Sequence, residues 1–220
     1  MFRKLSLIIL LLTSCQFALA DKTFDNVMAK AKTGDAEAQN YLGILYGTGV
    51  GVTQDYKQAF LWTSKAAQQS DPYAQMNLAR MYYDGTGTSR DFKQAFAWYN
   101  KAAVQGWPEA QFELANMFYR GEAVTQNYKQ AANWFESAAK QNWPQAQYSL
   151  GYMYFNGEGV QKDNQKAYIW FSVAAANGDS FGLDYRNNAA ATLTKQQLDE
   201  AQAKAAELMK KIEENKAAKK

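Results

Sequence analysis

The sequence predicts an all-α protein, an α/α superhelix in which helix-turn-helix repeats stack into a solenoid. One pattern recurs four times at a constant interval of 36 residues, and within each copy the apolar residues follow helical spacing. The interval is marked most clearly by tryptophan and leucine, at Trp62, Trp98, Trp134 and Trp170 and at Leu42, Leu78, Leu114 and Leu150. Because a repeat of this length cannot bury its apolar surface alone, we expect neighbouring copies to stack.

The first helix of each repeat is predicted over roughly Ala38–Gly47 and its copies. Ala38, Leu42 and Leu45 fall on one side of such a helix. A glycine follows in every copy, at a place where the left-handed backbone that ends many helices must be adopted. These glycines are Gly49, Gly85, Gly121 and Gly157.

The second helix of each repeat is predicted to begin at a side chain that can cap exposed backbone N–H groups. The capping residues are Asp55, Asp91, Asn127 and Asp163. Ala59, Trp62 and Ala66 then face inward in the first copy. The second helices are predicted to end near Ser70, Gly106, Asn142 and Gly178. A proline follows three of these ends, because its fixed φ suits the first turn of the next helix.

Four 36-residue repeats occupy residues 38–181 in this interpretation, between two caps. Residues 21–37 supply an N-terminal capping helix, and residues 182–220 supply C-terminal capping helices and a tail. Thr194 and Gln197 form a capping box that opens the last helix. The apolar positions of that helix form one narrow seam, Leu198, Ala201, Ala205, Leu208 and Ile212. We expect the seam to close the solenoid, and a coiled-coil contact between two chains is the alternative.

Residues 1–20 have the pattern of a secretory signal peptide. A positive segment at Arg3-Lys4 precedes an apolar core of eight residues, and Ala18-Leu19-Ala20 has the small-x-small form of a cleavage site. The apolar core is too short to span a bilayer, which takes ~20 residues. An alternative is the lipobox-like Leu12-Thr13-Ser14-Cys15, in which Cys15 becomes a lipidated first residue. Both interpretations place the mature chain outside the cytoplasm, as a periplasmic or secreted protein or as an outer-membrane lipoprotein.

The recurring pattern resembles the Sel-1-like repeat, a family related to tetratricopeptide repeats. The resemblance covers about Gly34–Ala191, and its Leu-Gly-x-x-Tyr and Gly-x-Gly-Val elements are most complete over Leu150–Val160. Three positions depart from the pattern, since Ala123 replaces a glycine, Thr88 replaces a valine and Ser137 interrupts Lys-Ala-Ala. The resemblance implies an α-solenoid, and a bacterial adaptor that serves complexes, the envelope or contact with a host.

Composition argues against several functions. The 220 residues include no histidine and one cysteine, which removes nearly every zinc site, histidine-dependent nucleophile systems and an intramolecular disulfide. The formal charge is +3, too small for nucleic-acid binding driven by bulk charge. Gly-x-Gly recurs in the repeats, but it follows a helix rather than a strand and is therefore not a phosphate loop. We predict neither catalysis nor a cofactor nor a metal site.

A binding face is predicted from positions that differ between repeats while their neighbours recur. On each first helix these positions lie two before the recurring leucine, and two, five and six after it, which puts them on one face. The first helices are expected to line the concave side of the solenoid. The predicted partner-binding residues are Met76, Arg80, Tyr83, Asp84, Phe112, Asn116, Tyr119, Arg120, Tyr148, Tyr152 and Phe155. The first repeat offers Asn40, Ile44, Gly47 and Thr48 at these positions.

Aromatic residues and arginine, which anchor many protein interfaces, are concentrated in the later repeats. For some of these residues, Phe112 and Phe155 especially but also the tyrosines, packing between adjacent repeats is the alternative, because large apolar residues on helices usually belong to the core. The sequence favours a monomeric scaffold that binds another protein or a peptide through its concave face, in the periplasm or cell envelope. It would touch a membrane only if Cys15 is lipidated. The alternative function is binding of peptidoglycan or carbohydrate fragments, whose sugar rings would stack on the aromatic side chains.

Overall fold

The computed structural model describes residues 24–218, so both leader interpretations, cleavage after Ala20 and lipidation at Cys15, lie outside the described residues. All regular secondary structure within residues 24–218 is helical, which confirms the all-α solenoid of tandem helical hairpins. The described part of α1 is residues 24–32. The helices that follow are α2 (Ala36–Thr48), α3 (Tyr56–Gln68), α4 (Pro72–Asp84), α5 (Phe92–Val104), α6 (Pro108–Arg120), α7 (Tyr128–Ala139), α8 (Pro144–Asn156), α9 (Asn164–Ala176), α10 (Gly182–Ala190) and α11 (Lys195–Ala218).

The predicted caps account for the helix boundaries. Asp55 accepts hydrogen bonds from the backbone N–H groups of Lys57 and Gln58 at 2.9 and 3.0 Å, so α3 begins there. Gly49 has a φ of +74° and its N–H donates to the Leu45 carbonyl, which ends α2 in the left-handed conformation. The prolines occupy the first position of α4, α6 and α8, as their fixed φ allows.

The chain divides into two compact units between Lys101 and Ala102, within α5. In the first unit, α1 packs on the first hairpin through one apolar cluster, Ala31, Ala38, Leu42 and Trp62. A second cluster joins the α3–α4 contact to Trp98 of α5. Small alanines and one leucine on each first helix therefore lie against the second helices, as the repeat pattern predicts.

In the second unit, the hairpins α6–α7 and α8–α9 are followed by α10 and by the long helix α11. Ala201 and Ala205 of α11 are buried with Phe171 of α9, and Leu208 reaches the cluster that contains Phe135. Thr194 and Gln197 make the reciprocal bonds of a capping box at the start of α11, at 3.0 and 3.3 Å. The α11 seam is thus occupied within its own unit, which fits the capping interpretation.

A buried glutamine in each repeat links the first helix to the chain segment before it, a feature that the repeat pattern did not single out. Each Nε2 donates to a carbonyl eight residues earlier, in the pairs Gln39–Ala31, Gln75–Ala67, Gln111–Ala103 and Gln147–Ala139. The Oε1 atoms of Gln39, Gln111 and Gln147 also accept a hydrogen bond from a side chain just after the second helix of the same repeat, from Gln69, Gln141 and Asn177. These paired bonds satisfy carbonyls at helix ends and hold the first helices in register.

Candidate functional site

A cavity of about 190 Å³, which we call the aromatic cavity, opens in the second unit between the first helices of the third and fourth repeats. Helices α6, α7 and α8 supply its lining, which consists of Asn116, Tyr119, Phe135, Tyr148, Ser149, Tyr152 and Met153. Four of these side chains belong to the predicted binding set, Asn116, Tyr119, Tyr148 and Tyr152. The residue spacing on α6 and α8 therefore brings variable positions of two repeats to one place.

The aromatic cavity has a buried apolar base and a half-buried aromatic wall. Phe135 and Met153, at 2% and 1% exposure, form the base. Tyr119, Tyr148 and Tyr152 are half-buried and keep access to solvent. The Tyr148 ring lies 6.4 Å from that of Tyr152, so the two rings form a tilted pair along α8. Such rings present large contact area with little rotamer freedom to lose.

Acidic groups lie next to this wall. The Tyr119 hydroxyl donates to Glu158 Oε2 at 2.7 Å. The sequence predicted no partner for Glu158. Burial, reinforced by that carboxylate, raises the pKa of Tyr119 well above its ordinary value. Burial, with a hydrogen bond to Tyr185 and the nearby charge of Asp179, also raises the pKa of Tyr148. Both phenols therefore stay protonated at neutral pH and are unsuited to act as general bases.

The first unit contains a cavity at the equivalent place, which we call the polar cavity. It has about 300 Å³ and lies between α2 and α4. Two repeats earlier in the chain, Arg80 stands where the aromatic cavity has Tyr152, Gly47 where it has Tyr119, and Thr63 where it has Phe135. Ile44, Thr48 and Asp84, all at variable positions of the repeat, also line it. The same backbone frame thus carries an aromatic site in one unit and a charged site in the other.

The structure corrects the expectation for Met76. The side chain is 1% exposed, so it belongs to the core and offers no surface to a partner. The position is buried in α4 because it lies only two residues from the fully packed Leu78 and next to the buried Gln75. We leave Met76 out of the candidate site.

The two predicted phenylalanines follow the packing alternative. The Phe112 ring lies 5.7 Å from that of Phe135, beside the base of the aromatic cavity. The Phe155 ring lies 6.4 Å from that of the fully buried Phe171 and packs on the adjoining apolar cluster. Both side chains pack against apolar clusters that also include lining residues of the aromatic cavity, and each keeps partial exposure.

The remaining predicted residues lie at or near the surface. Tyr83 is half-buried and meets the Phe92 ring edge-on at 5.1 Å. Arg80 and Asp84 are exposed, and Arg80 Nη2 donates to Asn77 Oδ1 at 3.2 Å. Arg120 is exposed with its guanidinium 3.8 Å from the Glu122 carboxylate. None of these four lines the aromatic cavity.

Three lining residues were absent from the predicted set, Phe135, Ser149 and Met153, and of these only Phe135 lies outside the first helices that were compared. Phe135 lies on a second helix, at a position that holds Thr63, Tyr99, Phe135 and Phe171 in the four repeats. The same test of variability, applied to second helices, identifies that position. Ser149 is a variable position of its first helix that the prediction did not include, and Met153 matches Met81 and Met117, so variability gives no signal for it.

No group of three or more cysteine, aspartate, glutamate or histidine side chains within residues 24–218 is placed to hold a metal ion. None of the helices in that range has the length and apolar character that crossing a bilayer requires. The aromatic cavity instead offers contact area, phenol and amide oxygens, and adjacent carboxylates, which are the elements of side-chain recognition.

Helical hairpins that follow one another in tandem define a helical repeat protein. The family model of the Sel1 repeat matches the chain over residues 36–71, 72–107, 108–143 and 144–179. The chain therefore belongs to the Sel1 repeat family, as the sequence pattern predicted. Sel1 repeat proteins are typically scaffolds for protein interaction and are generally non-catalytic.

Two solved structures are similar to this chain over most of its length. A protective antigen present in uropathogenic Escherichia coli strains, which displays an SLR fold, is 36% identical with a TM-score of 0.80. The match covers 87% of this chain and 41% of the antigen. A Sel1 repeat protein from Oxalobacter formigenes is 36% identical with a TM-score of 0.71, over 77% of this chain and 49% of that protein.

This chain thus spans half or less of the length of both relatives. No protein of curated function matches it.

Proposed function

We propose that this Sel1 repeat scaffold binds a linear segment of another protein, or a peptide, and that one side chain of the segment enters the aromatic cavity. The proposal rests on one observation, the convergence of Tyr119, Tyr148 and Tyr152 around a solvent-accessible cavity with a buried base. Half-buried tyrosines are frequent anchors of protein interfaces, because they combine apolar area with a polar tip.

The size of the aromatic cavity supports a side chain as the occupant. Pockets that enclose a whole small molecule measure about 300–1,000 Å³, whereas this cavity has about 190 Å³. A peptide that lies along the surface needs space for only one inserted group at each anchor.

We also propose that binding takes place in the periplasm, at the cell envelope or outside the cell. The support is the residue pattern of segment 1–20, in which a basic start, an apolar core and Ala18-Leu19-Ala20 follow one another. Cleavage after Ala20 would remove Cys15, the one cysteine of the sequence. The mature protein would then contain no thiol that an oxidising compartment could oxidise. Retention of the mature chain in the cytoplasm would contradict this part of the proposal.

Selection of displayed linear peptides on the purified chain tests the binding role. We expect the selected peptides to lose at least about tenfold in affinity on Tyr152→Ala, as for a hot-spot residue. The matched control is Tyr41→Ala, which removes an exposed tyrosine from the first unit and should leave affinity unchanged. Circular dichroism melting confirms that both variants stay folded.

Two outcomes would count against the binding role. Peptides that bind wild type and Tyr152→Ala equally would place recognition elsewhere. Saturable quenching of tryptophan and tyrosine fluorescence by muropeptides, with no peptide selected, would favour the carbohydrate alternative.

A further inference from the structure

We infer that the side chain taken up by the aromatic cavity is cationic, a lysine or arginine of the bound segment. The inference rests on the proposed function and specifies its ligand. Three observations carry it: three polar side chains of the lining already donate a hydrogen bond within the chain, carboxylates lie beside the rings, and an arginine of the chain lines the equivalent cavity of the first unit.

Three of the five polar side chains of the lining donate a hydrogen bond to another group of the chain. The Tyr119 hydroxyl donates to Glu158 at 2.7 Å, and Ser149 Oγ donates to the Gln145 carbonyl at 2.8 Å. The Asn116 amide nitrogen donates to Glu113 Oε2 at 3.4 Å. A hydroxyl that donates elsewhere keeps its oxygen lone pairs, and the amide keeps its carbonyl oxygen. The cavity is therefore supplied with acceptors, which favours a donor-rich ligand.

The charges around the aromatic cavity have the complementary sign. Glu158 bonds to one tyrosine of the wall, and the Asp179 carboxylate acts on Tyr148. None of the seven described residues that line the cavity is basic. Nearby Arg120 lies 3.8 Å from Glu122, and Lys162 lies over the Phe155 ring at 5.8 Å, so both have acidic or aromatic neighbours outside the lining. An ammonium or guanidinium group would gain both carboxylate attraction and ring contacts.

The polar cavity of the first unit shows how this frame treats a cation. Arg80, the equivalent of Tyr152, donates from Nη2 to Asn77 Oδ1 at 3.2 Å, and Asn77 is the equivalent of Ser149. Thr86 replaces the acidic Glu158 there. In the first unit the chain itself contributes a guanidinium at this position, whereas in the second unit the uncharged Tyr152 occupies it.

Lysine over an aromatic ring is already a recurrent contact of this chain. Lys65 lies 4.1 Å from the centroid of the Trp62 ring, and Lys101 lies 3.8 Å from that of Trp98. Among the cation–ring contacts of the described residues, none involves a ring that lines the aromatic cavity.

The test titrates the full chain with three peptides of the form acetyl-Gly-Gly-X-Gly-Gly-amide, where X is lysine, norleucine or glutamate, and follows tyrosine ring signals by NMR. Norleucine matches the aliphatic part of lysine without its charge. We expect the lysine peptide to bind about tenfold more tightly than the norleucine peptide, and the glutamate peptide to bind most weakly. Added salt should reduce the preference for lysine.

Variants separate charge from shape. Glu158→Gln should reduce the lysine preference severalfold, whereas Glu136→Gln, which removes a surface carboxylate paired with Lys140, should leave it unchanged. Tyr152→Arg gives the aromatic cavity the residue type that Arg80 supplies in the first unit, and this variant should abolish binding of the lysine peptide. Tyr152→Phe keeps the aromatic ring and should retain binding of the lysine peptide. Equal affinity for lysine and norleucine at the cavity would overturn the cation inference and leave peptide binding intact. Failure of all three peptides to perturb the cavity would overturn both.

Discussion

At the scale of single residues, the third repeat departs from the backbone requirement of the other three. Ala123 has a φ of +64°, in the left-handed region, where Gly51, Gly87 and Gly159 stand in the other repeats. A Cβ atom in this region costs roughly 1 kcal/mol, because it crowds the following carbonyl. The third repeat therefore keeps the loop geometry of its neighbours at an energetic cost.

Substitution at this position should change stability in opposite directions in two repeats. Ala123→Gly should raise the free energy of unfolding by about 0.5–1 kcal/mol, since the strain disappears. Gly159→Ala should lower it by more than that, because the new Cβ would collide with the backbone carbonyl of Tyr128. Urea denaturation followed by circular dichroism measures both. A stability loss in Ala123→Gly would show that the alanine side chain makes a favourable contact.

The residue scale also shows how far variability between repeats identifies a site. Asn116, Tyr119, Tyr148 and Tyr152 were predicted and line one cavity, since helical spacing determines which face a residue occupies. Met76 occupies the same face by spacing and is buried, because the depth of a position depends on the helices packed around it. Phe135 approaches from a second helix, and no pattern within the first helices contains that contact.

At the scale of helices, the buried glutamines explain how successive repeats are held together by more than apolar packing. Gln147 is fully buried, donates to the Ala139 carbonyl at 3.1 Å and accepts from Asn177 at 3.0 Å. One side chain thus ties the start of α8 to the end of α7 and to the segment after α9. Removal of its amide leaves a buried carbonyl and an amide donor without this partner.

Gln147→Met should therefore destabilise the chain by about 1–3 kcal/mol, the cost of a buried polar group that loses its partner. Methionine keeps the length of the side chain, so the loss is assigned to hydrogen bonding rather than to a cavity. Gln145→Met is the control, because Gln145 is exposed on the same helix and should change stability by less than about 0.5 kcal/mol. Equal urea midpoints for the two variants would contradict this role of Gln147.

At the scale of the whole molecule, the C-terminal helix bears on the oligomeric state. Ala201, Ala205 and Ile212 of the α11 seam are buried within the chain, with exposures of 0 to 4%. Burial of these three residues within the chain favours the capping role over a coiled coil between two chains. The low formal charge of +3 gives no separate indication of a nucleic-acid or polyanionic partner.

We expect the protein recovered from a periplasmic extract to be a monomer that begins at Asp21. Native mass spectrometry reports the oligomeric state and the covalent mass in one experiment. A mass increased by a lipid on Cys15, together with recovery in the membrane fraction, would establish the alternative processing. A dimer would contradict the capping role of α11, and Ala205→Glu would then show whether the seam forms its interface.

The sequence by itself determined the class of fold, the repeat length, the helix boundaries and the family, because caps, glycine turns and apolar spacing are local signals that four copies reinforce. Only the tertiary structure decided which variable positions meet, that Met76 is core, and that Tyr119 uses its proton on Glu158. Spacing along a helix determines the face on which a side chain lies, whereas the size of a cavity depends on side chains from other helices. Phe135 against Thr63 is the simplest case, since one frame yields an aromatic site in the second unit and a charged site in the first.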